Sequence, residues 1–135
     1  MKLKIRFFLC AAVSIAFINC GLRDLNMNYQ YIDQNNNRFI ISSEDISYFP
    51  TEPSESSSGD YDGGDEMNLK ITEEEFKEIS KLADSILNSS ETHTGVREKR
   101  TSILKINKGS KTVRKILKPS EVRSDFELVL RKALH

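Results

Sequence analysis

Pro50-Thr51-Glu52-Pro53-Ser54-Glu55-Ser56-Ser57-Ser58-Gly59-Asp60-Tyr61-Asp62-Gly63-Gly64-Asp65-Glu66 divides the chain. Tyr61 is the one large side chain with apolar surface in this stretch. Proline, glycine, serine and acids hydrate well and bury little, so the composition predicts an acidic, disordered linker over 50–70. On either side of that boundary the 135 residues fall into short segments, with no Trp and with 30% charged residues. Few large apolar groups cannot offset the entropy of ordering a full core. The expected chain is mostly disordered, with short α-helices at about 72–88 and 121–134, weak β-hairpins and no large globular core.

After the linker, residues 71–100 read as an acidic amphipathic helix and a basic junction. Thr72 and Glu75 stand in capping-box register, and Glu73, Glu74 and Glu75 oppose the positive end of the helix dipole. Phe76, Ile79, Leu82, Ala83, Ile86 and Leu87 recur at helical spacing as one packing stripe. Before the linker, 21–49 is a mixed, weakly ordered segment. In it Tyr29–Ile32 and Arg38–Ile41 flank the turn-forming Asp33–Asn37, a hairpin that is marginal alone.

Residues 101–135 are the basic C-terminal segment. Ser102–Ile106 and Lys111–Leu117 read as hairpin arms across Asn107–Ser110, with a basic helix as the rival for the second arm. Pro119 ends this unit. Ser124 with Glu127 reads as a second capping box. Val122, Phe126, Val129, Leu130, Ala133 and Leu134 then form the stripe of a last helix.

At the N-terminus, Lys2, Lys4 and Arg6 precede an apolar run of 12 residues, Phe7–Ile18, broken only by Ser14. Asn19-Cys20-Gly21 follows. This order predicts a signal peptide over 1–20, too short to span a membrane, and a secreted, extracellular product. The run Phe17-Ile18-Asn19-Cys20 loosely resembles a bacterial lipobox, with Asn19 where that pattern has a small residue. That resemblance implies the alternative, a surface lipoprotein anchored through Cys20 and touching the membrane only by its lipid. Cys10 and Cys20 are the only cysteines, so the exported chain has no internal disulfide.

The formal net charge is zero but divided. Residues 21–96 hold 16 acids against 5 bases, and residues 101–135 hold 9 bases against 3 acids. The switch falls at Arg97-Glu98-Lys99-Arg100. Its Arg-x-Lys-Arg pattern is similar to furin-like convertase sites, whose acidic clefts take clustered cations. Arg97, Lys99 and Arg100 are therefore processing residues of an expected precursor that releases a basic peptide after Arg100.

His93 and His135 are the only histidines, with no cysteine cluster or Gly-rich phosphate loop beside them. The carboxylates lie on solvated runs, where nothing shifts them for acid-base work. The expectation is a non-enzymatic chain with no metal and no cofactor. The basic tail lacks the interleaved aromatics of a nucleic-acid surface, so the expected partner is an extracellular protein, a serine protease or a receptor. Tyr61 among Asp60, Asp62, Asp65 and Glu66 resembles a sulfation site, and Asn88-Ser89-Ser90 is an N-glycosylation sequon.

Asp60, Tyr61 and Asp62, then Glu73, Glu74, Glu75 and Phe76, precede Gly95-Val96-Arg97. That order resembles the cysteine-free salivary thrombin inhibitors of blood-feeding arthropods, the anophelin type. The resemblance implies an acidic stretch for a basic exosite and Arg97 or Arg100 for the specificity pocket of a trypsin-class protease. The family's Asp-Pro-Gly-Arg-Arg core is absent; Gly95-Val96-Arg97 stands in its place.

Overall fold

Large apolar residues alternate with polar ones in four segments, and in the computed structural model, which describes residues 27–56 and 58–135, those segments are the inner strands of one sheet. The elements run β1 (Met27–Ile32), β2 (Arg38–Ile41), β3 (Asp45–Phe49), β4 (Met67–Lys70), α1 (Glu73–Asn88), β5 (His93–Thr94), β6 (Ser102–Lys108), β7 (Lys111–Leu117) and α2 (Glu121–Lys132). The sheet order is β4-β3-β2-β1-β6-β7-β5, antiparallel throughout.

Register puts the large residues on one face. Tyr29 opposes Ile41 and Ile106, and Tyr31 opposes Phe39 and Leu104. Both helices cover this face. Ile79, Ala83 and Ile86 of α1 and Phe126, Val129 and Leu130 of α2 are buried in the same core. Phe126 meets Tyr31 edge-on with ring centres 5.2 Å apart, and Phe76 lies 6.0 Å from Tyr29. Each fully buried aromatic or branched side chain contributes roughly 1.5–3 kcal/mol by leaving water.

The expectation of a mostly disordered chain without a large core is overturned by this seven-stranded sheet and its two helices. The hairpins are not isolated: β1 pairs with β6 along its whole length, from Met27↔Lys108 to Ile32↔Ile103. Closing so long a loop costs little more than closing a short one, because the entropy grows only with the logarithm of length. Two marginal hairpins thereby become the middle of one sheet, and the helix stripes find it as their partner.

Local details differ too. Lys111–Leu117 is a strand, not a basic helix, turned back on β6 through Gly109 at φ +58°. The cap of α2 is Ser120, directly after Pro119, and its side chain accepts from the Arg123 N–H. Ser124 is already one turn inside, and its hydroxyl donates back to the Ser120 carbonyl. Glu127 is thus freed from capping. At α1 the box forms: Thr72 Oγ1 accepts from Glu75 N, and the Glu75 carboxylate accepts from Thr72 N at 2.6 Å. No helix among the described residues is long and apolar enough to cross a membrane. The signal, its cleavage position and Cys20 lie outside the described residues.

Candidate functional site

The disordered linker expected over 50–70 is instead a strap followed by β4, and it walls a cavity. The site begins in the β1–β2 turn. Asp33 accepts from the main-chain N–H of Asn35 and of Asn37, which shapes the turn, and Asn36 takes φ +67°. Asn37, only 4% exposed, then spends its whole amide. Its Nδ2 donates to Asp33 Oδ2 at 2.8 Å and to the Tyr61 hydroxyl at 2.7 Å; its Oδ1 accepts from Thr51 N at 3.0 Å. Thr51 Oγ1 donates to the Asn35 carbonyl, and the Tyr48 hydroxyl donates to the Gly63 carbonyl at 2.6 Å. Gly63 comes so close that an added Cβ would stand 2.6 Å from Asn37 Oδ1 and 2.7 Å from Pro50 Cβ. A strap with almost nothing apolar is therefore fixed by single polar atoms.

Beneath it lies a cavity of ≈ 310 Å³. Phe39, Met67, Leu130 and Leu134 give it an apolar floor; Tyr31, Tyr48, Tyr61, Asp33, Asn35, Glu127 and Arg131 give it polar edges. Three of the four tyrosines in the chain converge here. Two more open depressions, of ≈ 420 and ≈ 330 Å³, share the same corner: one includes Asn36, Arg38, Phe49 and Thr51, the other Gln34, Asn36, Thr51 and Tyr61.

One carboxylate of the cavity, Glu127, is ion-paired; the other, Asp33, is held by amides. Glu127 accepts from Tyr31 and pairs with Arg123 at 2.9 Å, an i,i+4 contact on α2. Arg123 is 4% exposed and also donates to the Arg100 carbonyl. Its burial alone would lower the guanidinium pKa, but Tyr31 and Glu127 more than reverse that. Burial raises Asp33, against the lowering effect of its three amide donors. Arg97 donates to the Asp33 and Thr101 carbonyls and to Asn36 Oδ1, which places its charge next to Asp33. Burial pushes the Tyr48 phenol up to about 12, helped by Tyr61 and Asp33. Burial and then Glu127 raise Tyr31.

Of the residues singled out in the sequence, Tyr61 and Arg97 come together at the Asp33–Asn37 turn, from the strap and from the 95–101 loop, while Asp60 and Asp62 are exposed on the strap. Glu73, Glu74, Glu75 and Phe76 do not join them: they open α1, where Glu75 caps and Phe76 packs on Tyr29. Lys99 and Arg100 are exposed, with Arg100 at φ +70° in a turn closed by Thr101 N donating to the Glu98 carbonyl. Asn88, the last residue of α1, is exposed. Tyr61 is half-buried, with its hydroxyl engaged. Sequence reasoning missed Asn37, Tyr48, Thr51, Gly63, Arg123 and Glu127. The Asx-type spacing Asp33-x-x-x-Asn37 was the one local signal, and it pointed to a turn rather than to a strap anchor.

Among the described residues no group of His, Cys, Asp and Glu is arranged to hold a metal ion. No family profile, curated protein or solved structure matches the chain.

Proposed function

We propose that the protein is an exported, non-enzymatic binding domain whose cavity takes one small, neutral, amphipathic molecule. The observation that carries this reading is the lining: an apolar floor, a rim of phenols and amides, and two carboxylates, Asp33 and Glu127, set against Arg131 at the same edge and Arg123 paired with Glu127. Such a site has little net charge to offer an ion. It offers burial on one side and hydrogen bonds on the other, the usual chemistry of small-ligand sites, and its volume sits at the lower end of their range. Protein-observed NMR against a set of neutral amphipathic fragments tests it. Binders should shift Tyr48, Tyr61, Leu130 and Leu134, and Gln34→Trp at the mouth should block them without unfolding the chain. Shifts confined to the outer face of the sheet would place the binding surface elsewhere.

A second reading, a substrate-like inhibitor of a trypsin-class protease, has one supporting observation: Lys99 and Arg100 stand exposed on a loop braced from Arg97 and Arg123. Micromolar inhibition lost in Arg100→Ala would favour it. Release of a peptide after Arg100 gains no such support. The Glu98–Thr101 turn is closed rather than extended, and Ser102–Lys108 is a central strand between β1 and β7. Cleavage there would leave a nicked domain with both parts still paired.

A further inference from the structure

Among the described residues two edges of the sheet are open. β4 is the outer strand on one side. On the other, β5 pairs only with Ile116 and Leu117 of β7, so Lys111–Lys115 has no strand beyond it among the described residues. No loop of the described chain gives a main-chain hydrogen bond to residues 67–70 or 111–115. Each edge also carries one exposed apolar residue on the helix-bearing face. Leu69, opposite the buried Ile46, is 37% exposed; Val113, opposite the nearly buried Ile106, is 41% exposed.

The edges carry opposite charge. Residues 60–75, around β4, hold seven acids and one lysine, net −6. Residues 105–118, around β7, hold six lysines and arginines and no acid, net +6. Basic side chains on an edge strand ordinarily guard against pairing. Here each guard works only against its own kind: two β7 edges repel, two β4 edges repel, and β7 against β4 attracts. Direction agrees. Five antiparallel steps separate β4 from β7, so the two strands run oppositely. A copy set in line would continue the sheet with antiparallel pairing and keep all helices on one face.

We propose that the partner for these edges is a second copy of this chain: β7 of one copy pairs with β4 of the next, with Val113 opposite Leu69. The two surfaces differ, so the contact is head-to-tail; repeated, it gives an open chain of copies or a ring, not a two-fold dimer.

Sedimentation of the purified protein at rising concentration tests this. At low salt the average mass should climb beyond that of a dimer and fall back as salt screens the edges. Leu69→Lys sets a cation against the basic edge, and Val113→Glu sets an anion against the acidic edge. Each should weaken association by about ten-fold or more, which corresponds to roughly 1.4 kcal/mol. Both positions are on the surface, and unchanged circular dichroism and thermal midpoint will show that the variants fold. An equimolar mixture of the two should regain at least a dimer, since each supplies the unaltered edge that the other lacks. A monomer at every concentration, assembly indifferent to both variants, or a mixture as monomeric as its parts would each overturn the proposal.

Discussion

Helix α1 is held by buried area, and the strap at 50–66 is held by single polar atoms. The helix presents Ile79, Ala83 and Ile86, fully buried, to a sheet that meets them with Tyr29 and its neighbours. The strap presents a threonine, two phenolic contacts and a bare glycine backbone. Area is forgiving of small displacements, because dispersion and burial have no direction. Hydrogen bonds through one amide are not: removing Asn37 removes three partners together. The two regions should therefore fail differently.

The largest effect is expected on the helix side. Ile79→Ala leaves a cavity against the sheet and should cost about 2–5 kcal/mol. Because α1 belongs to the common core, the loss should appear as a lower urea midpoint with unchanged slope, and every segment should unfold together. A strap that lost protection before the helix did, in this variant, would mean the two are not one cooperative unit.

Asn37→Ala should come next, at about 1–3 kcal/mol, because Thr51 N–H is buried and keeps no acceptor. Its signature is local. Amide exchange should rise over 50–66 and in the Asp33–Asn37 turn while α1 stays protected. Equal loss in α1 would show that Asn37 supports the core rather than the strap.

The same contrast explains what could be read beforehand. The helix declares itself locally: Thr72, Glu75 and the 3.6-residue stripe lie within its own span, and the observed α1 occupies that span. The strap does not, because what orders it lies outside it, at Asn35, Asn37 and Tyr48. Composition says that nothing in residues 50–66 can pack, yet Thr51 is buried and Tyr61 half-buried. It could not say that a neighbouring turn would bind them. The sheet was hidden in the same way. Tyr29–Ile32 with Arg38–Ile41, and Ser102–Ile106 with Lys111–Leu117, were legible as two hairpins. Their joining through β1 and β6 is a pairing of distant segments that no local window contains. The β3 strand, Asp45–Phe49, went unread although Ile46 and Tyr48 alternate with polar neighbours. Glu127 was assigned to a cap, and its partnership with Tyr31 and Arg123 needed the fold.

Thr72→Ala removes one side of the α1 capping box and should cost about 1 kcal/mol at neutral pH. This difference should depend on pH. Backbone and side-chain hydrogen bonds from Thr72 hold the Glu75 carboxyl below its ordinary value. A depressed carboxyl stabilises the fold above its unfolded pKa, about 4.3, and that contribution fades as pH falls through the folded value. Only the Thr72 Oγ1 bond to the carboxylate is both lost in the variant and dependent on pH, so the gap between wild type and Thr72→Ala should narrow, without closing, as pH falls below about 4. Parallel curves down to acid would mean that Glu75 does not act through Thr72.

Tyr61→Phe is the smallest and the most discriminating change. It deletes one hydroxyl that accepts from Asn37 Nδ2 at 2.7 Å, in a half-buried position that water can reach. With water as a substitute acceptor, the cost should be about 0.5 kcal/mol, the low end for a hydrogen bond. Thr51 would keep both of its bonds, and Tyr48 would still donate to Gly63, so the strap should stay closed over the cavity. Exchange at Thr51 N–H should match wild type, in contrast to Asn37→Ala. Sulfation is a different perturbation of the same atom. It places a bulky anion where the Asn37 contact sits, beside Asp33 and the cavity wall, and cannot be accommodated without lifting the strap. A sulfated chain should therefore exchange over 50–66 as Asn37→Ala does, while Tyr61→Phe does not. If Tyr61→Phe alone opens the strap as far as Asn37→Ala, the strap is anchored by the phenol, and Asn37 acts only by holding that hydroxyl in place.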